Sequence, residues 1–129
     1  MAHPNEELIR GGYEAFAKGD LETALARFDE NITWHVPGRS AVAGDYQGHQ
    51  EVMAFFGKLI ELSGGTFRLE LHDVLASDDH VVALVVVSGE RNGTSTTLNA
   101  AHVWHVADGK ATEFWALSTD PYASDAFWA

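Results

Sequence analysis

Apolar residues recur at helical spacing in three stretches of the first half of the chain and at strand spacing through most of the second. Leu8, Ile9, Tyr13 and Phe16 form a stripe that Asn5 can cap and Gly19 can end, with Glu6 and Glu7 at the positive end of the helix dipole. Asp20 then caps a short second helix carrying Leu21, Ala24, Leu25 and Phe28. Ile32 to Val36 reads as a strand stopped by Pro37-Gly38, and Arg39 to Gly48 reads as a loop. From His49 onward, Val52, Phe55, Phe56, Leu59 and Ile60 mark a third helix that runs to Gly64-Gly65.

The remainder reads as four strands: Phe67 to Ala76, Val81 to Glu90, Thr94 to Val106 and Ala111 to Ser118. Asn92-Gly93 and Asp108-Gly109 are hairpin signals, because both pairs tolerate the positive φ of tight primed turns. Phe67, Leu69 and Leu71 alternate with Arg68, Glu70 and His72 until the phase breaks at Asp73-Val74, the mark of a β-bulge. Helices first and an antiparallel meander afterwards predict one α+β domain over residues 1–129. In it, three helices cover the concave face of a strongly bent, cone-shaped sheet. The place for function in such a cone is an apolar pocket with a few inward polar side chains.

Composition narrows the classes. The 129 residues are 46% apolar and 21% charged, enough for a single packed core. Lys and Arg number 8 against 19 Asp and Glu, a net charge of -11 that repels a phosphate backbone and an anionic membrane surface alike. The longest apolar run, Val81 to Val87, falls far short of the roughly 20 residues of a spanning helix. The start MAHPNEELIRGG lacks the basic and apolar parts of an export signal, so a cytoplasmic location is expected. Without cysteine there is no disulfide, thiolate zinc site or cysteine nucleophile. No P-loop, dinucleotide fingerprint or G-x-S-x-G context occurs, and neither a cofactor nor a metal is expected.

Three motifs carry a family resemblance: YEAFAKGDLETALARFDENITWHVPG from Tyr13, AGDYQGHQEVMAFFGKL from Ala43 and HVWHVADGKATEFWALSTDPY from His102. In this order they make the chain similar to the SnoaL-like group of the nuclear transport factor 2-like superfamily, which includes polyketide cyclases and ketosteroid isomerase relatives. The resemblance implies the same cone and a homodimer built on sheet faces. The residues of the isomerase constellation correspond here to Val36, Gly12 and His102, and two of these can neither move nor donate a side-chain proton. The Arg-x-Asp pair of the epoxide hydrolases is also missing. What the resemblance leaves is the cyclase pattern, with an Asp near the end of the last strand as general acid/base. Asp120 lies near that position, one residue late without a gap.

The candidates each have a plainer alternative. Asp120 is either a pocket carboxylate or, as Asp120-Pro121, a turn-starting cap. His102 and His105 lie three apart on one strand and so project to opposite faces, which rules out their chelating one metal. If Trp104 and Val106 face the pocket, His102 joins them and His105 points outward; the opposite parity exchanges the two. The resemblance puts Ile32, Trp34 and Val36 on the concave face, where Trp34 is a pocket wall or plain core. Trp34, Val36, Phe56, Trp104 and Phe114 are the expected ligand-contacting residues. The aromatic tail DPYASDAFWA is expected to dock, over its own cone mouth or across a two-fold partner, with Trp115 and Leu117 suited to such an interface. The expected function is cofactor-free acid/base chemistry on an apolar carbonyl compound, cyclisation or isomerisation, with Asp120 moving the proton and His102 on the oxyanion. The alternative is a non-catalytic ligand-binding or oligomerisation module on the same fold.

Overall fold

The computed structural model describes residues 2–129, with elements in the order α1 (Pro4–Ala17), α2 (Leu21–Leu25), β1 (Phe28–Val36), β2 (Gly44–Gln47), α3 (Gly48–Leu62), β3 (Arg68–Ala76), β4 (His80–Arg91), β5 (Thr94–Ala107), β6 (Lys110–Ser118) and α4 (Pro121–Phe127). The strands form one six-stranded sheet in the order β2-β1-β6-β5-β4-β3. It is mostly antiparallel. The exception is β1, which lies parallel to β6 because α3 and the meander intervene between them in the chain.

Turn chemistry behaves as its residues dictate. Asn92 and Asp108 adopt φ of 53° and 52°, closing the β4–β5 and β5–β6 hairpins. Asp20 caps α2 by accepting from the Thr23 backbone N–H. The predicted bulge falls between Leu71 and Asp73, where the β3–β4 register shifts. A second shift lies between His105 and Val106. Each such insertion bends and twists its strand, which lets the sheet curl around the helices.

Three expectations are corrected, and a fourth helix is added. The first helix starts at Pro4, not after Asn5: Pro fits the first helical turn, and His3 Nδ1 accepts the Asn5 N–H as the cap. Asn5 instead donates its side-chain amide to the Ser77 and Asp78 carbonyls, tying α1 to the β3–β4 turn. Phe28 opens β1 rather than closing α2, because the short helix ends at Leu25 and the apolar ring is buried from a strand. Within the stretch read as a loop, Gly44–Gln47 pairs with β1 as an edge strand, and the aromatic tail is a helix.

The core lies between the helices and one sheet face. Ile32, Val52, Val81 and Phe114 are its most completely buried large side chains. Around Phe114 the aromatic rings are continuous: it stacks on Trp34 with ring centroids 3.7 Å apart and meets Trp104 at 4.6 Å. Among the described residues, no helix is long and apolar enough to cross a membrane.

Candidate functional site

The sheet and helices leave a cavity of about 350 Å³ lined mainly by apolar side chains. Period-two alternation along β5 decides which residues reach it. Thr96, Leu98, Ala100, His102 and Trp104 line the cavity, whereas His105 is on the other face. From β1 come Trp34 and Val36, from β6 Phe114 and Ala116, and from α3 Phe55, Phe56 and Leu59. Helix α1 adds Ile9, Tyr13 and Phe16, spaced four and three apart on one helical face. The exposed members of the lining, Pro37, Gly38, Leu117 and Pro121, lie together at the ends of β1 and β6, which marks the mouth.

Deep in this apolar wall sits one polar chain. Trp104 Nε1 lies 3.3 Å from the Tyr13 hydroxyl, and that hydroxyl lies 2.6 Å from His102 Nδ1. An indole N–H can only donate, so Trp104 donates to the phenol oxygen. The phenol and His102 Nδ1 share one hydrogen bond, and when the phenol donates it the ring is the neutral tautomer with its proton on Nε2. Among the described residues Nε2 makes no hydrogen bond. Burial enforces the same state electrostatically. It drives the His102 pKa down from 6.5 to about 3 and pushes the Tyr13 phenol up, so neither group carries charge near neutral pH. The cavity lining thus includes a neutral imidazole whose ring is held by the Tyr13 hydroxyl.

Trp34 is also an N–H carrier, but its Nε1 is sealed from solvent and has no partner among the described residues. It serves as wall, packed among Phe28, Phe55, Phe56, Trp104 and Phe114.

Asp120 does not join this group. It is exposed, outside the cavity lining, and its Oδ1 accepts the Ala123 N–H at 3.0 Å as the cap of α4. The capping alternative describes it, because the chain turns into a helix at Pro121 and the orphan N–H groups of the first turn need an acceptor. Asp120→Ala is accordingly expected to cost about 0.5–2 kcal/mol in urea unfolding and to leave binding in the cavity unchanged.

Two polar lining residues carry no mark in the sequence pattern. Tyr13 reads in the sequence as one more apolar residue of the α1 stripe, although a phenol on a buried face always needs a partner. Asp125 lies on α4 and is the one carboxylate among the lining residues. No local pattern marks it, because its position depends on α4 docking over the Pro37-Gly38 turn.

The tail does dock. Phe127 and Trp128 are buried, the Trp128 carbonyl accepts the Ala41 N–H at 2.9 Å, and Arg91 donates to the carbonyls of Phe127 and Ala129. Trp128 and Asp125 both line the cavity, so the helix forms part of its rim.

A family model for the SnoaL-like domain matches residues 9–114. The chain belongs to the SnoaL-like family. Its six-stranded α+β architecture is the one of solved proteins described as NTF2-like and cystatin-like. An uncharacterized protein of Mycobacterium tuberculosis is 33% identical over 124 residues, 95% of each chain. The structure of Bal32a from a soil-derived mobile gene cassette is 38% identical, with a TM-score of 0.93 over 98% of this chain and 97% of that one. TerC, co-crystallized with polyporic acid, is 27% identical with a TM-score of 0.86, covering 97% of this SnoaL-like chain and 98% of its own.

Proposed function

We propose that this SnoaL-like chain binds a small, mostly apolar compound bearing a carbonyl, and that His102 Nε2–H donates to the carbonyl oxygen. The observation that carries the reading is the chain Trp104 to Tyr13 to His102, which holds a buried imidazole in a mainly apolar hollow whose hydroxyl and carboxylate side chains are otherwise Ser40, Thr96, Ser118, Ser124 and Asp125. A neutral imidazole polarises a carbonyl without the desolvation cost of burying a cation. The chemistry it supports is enolisation followed by aldol closure or isomerisation. When water or a buffer base takes the proton from the carbon beside the carbonyl, the C–H bonding pair shifts toward the oxygen, and a neutral Nε2–H bound to that oxygen stabilises the negative charge gathering there. Small-molecule binding in TerC, co-crystallized with polyporic acid, supports the same use of the fold here.

Binding without turnover is the second reading, and one observation favours it. The only carboxylate of the lining, Asp125, is at the mouth, and Asp120 is occupied as a cap.

Calorimetry with 4-acetylbiphenyl and 4-ethylbiphenyl tests the donor. The ketone is expected to lose about tenfold in affinity in His102→Phe, while the hydrocarbon binds both proteins alike. An equal change for both compounds would overturn the carbonyl reading. Ketone affinity is also expected to stay flat from pH 5 to 8, because His102 protonates only near about 3. A step centred near 6.5 would contradict it.

A further inference from the structure

We infer that Asp125 is a second polar anchor of the cavity, selecting ligands that carry a hydroxyl or other N–H or O–H donor at the end opposite the carbonyl. The inference rests on the carbonyl-binding reading and extends it to the substrate class. Asp125 is held in place from two sides. Its Oδ1 accepts the Arg39 N–H at 3.0 Å, and it sits so close over Gly38 that a Cβ there would collide with Oδ1. Gly38 adopts φ of 122°, a conformation suited to glycine, so the turn admits the carboxylate both by its backbone and by lacking a side chain. With Oδ1 engaged, Oδ2 has no protein hydrogen-bond or ion-pair partner among the described residues.

The two polar groups come from different parts of the lining, His102 from β5 and Asp125 from α4 at the mouth. His102 pairs with Ala116, and the next inward pair toward the mouth is Ala100 with Ser118, about 7 Å along the strand. Beyond Ser118 the chain turns into α4, which carries Asp125. The wall between contains Leu98, Ala100 and Ala116, with no other charged group. A ligand that fills this distance meets an N–H donor at its inner end and an acceptor-only carboxylate at its outer end. A carboxylate can pair only with a donor, so a hydroxyl is accepted and a methyl ether in the same place is not.

Three probes of one shape separate the possibilities: 4-acetylbiphenyl, its 4′-hydroxy derivative and its 4′-methoxy derivative, titrated by calorimetry. The wild-type protein is expected to bind the hydroxy compound about tenfold more tightly than the methoxy compound. In Asp125→Ala that preference is expected to disappear, read as the ratio of the hydroxy and methoxy affinities within the variant. Should Asp125→Ala loosen α4, Asp125→Asn keeps an oxygen for the Arg39 N–H and removes the charge, and the preference is expected to shrink there too. A wild-type protein indifferent to the hydroxyl, or a preference that survives both substitutions, overturns the anchor while leaving the carbonyl reading intact. Failure of the wild-type protein to bind any of the three ketones removes the carbonyl reading and this inference with it.

Discussion

Phe114→Ala is expected to lower unfolding stability by about 3–5 kcal/mol in urea. The ring is 2% exposed and lies at the junction of three others. It stacks on Trp34 at 3.7 Å, is tilted against Trp104 at 4.6 Å and meets the His102 imidazole edge-on at 4.9 Å. Removing it takes away transfer energy and leaves a void that the neighbouring rings cannot fill, because Trp34 and Trp104 are fixed from the strands behind them. Phe114→Leu preserves much of the volume and should lose markedly less. The same substitution is expected to disturb ligand binding, since the void opens directly behind His102. A Phe114→Ala protein as stable as the parent would mean that the aromatic cluster is not the structural floor of the cavity.

Acid sensitivity is the second large effect. In the folded protein His102 stays neutral down to about pH 3, whereas in the unfolded chain it takes a proton near 6.5. Between those values the unfolded state binds more protons, so stability rises with pH across the window and is lost as pH falls through it. One such group contributes a slope of about 1.4 kcal/mol per pH unit. His102→Gln removes the titration and is expected to flatten that slope below pH 6.5.

His35 on the outer sheet face acts with the opposite sign. Its Nδ1 lies 2.7 Å from Asp45 and its Nε2 2.7 Å from Glu113, so both nitrogens donate and the ring is an imidazolium. Hydrogen bonds to Glu113 first and Asp45 second raise its pKa. Its contribution is complete below the unfolded value of 6.5 and is lost as pH rises through the raised folded value. Stability–pH profiles of His102→Gln and His35→Gln should therefore depart from that of the parent in opposite directions. Identical profiles would show that the burial of one and the pairing of the other have no energetic consequence.

Local chemistry made much of the fold legible. The hairpins at Asn92-Gly93 and Asp108-Gly109, the cap at Asp20 and the bulge after Leu71 each depend on residues within a few positions of one another. The alternation through Trp104 also put His102 on the inner face once its parity was fixed by Trp104 itself. The features that escaped are non-local. Parallel pairing of β1 with β6 joins residues about eighty positions apart, and β2 exists as a strand only because β1 offers an edge.

The site divides along the same line. Trp34, Val36, Phe56, Trp104 and Phe114 follow from periodicity and resemblance, and all of them line the cavity. Tyr13 is invisible as a polar group until α1 is laid across β5, because its spacing is that of any apolar residue. Asp120 and Asp125 are five residues apart in the same tail, and only the docking of α4 decides that one caps a helix while the other faces the cavity.

Nitrogen-15 NMR of the His102 ring, followed from pH 7 to pH 4, reads the protonation state on which carbonyl binding depends. A neutral imidazole protonated at Nε2 is expected throughout, with the Nε2 resonance moving when 4-acetylbiphenyl is added. A proton on Nδ1, or a ring that titrates near 6.5, would contradict it.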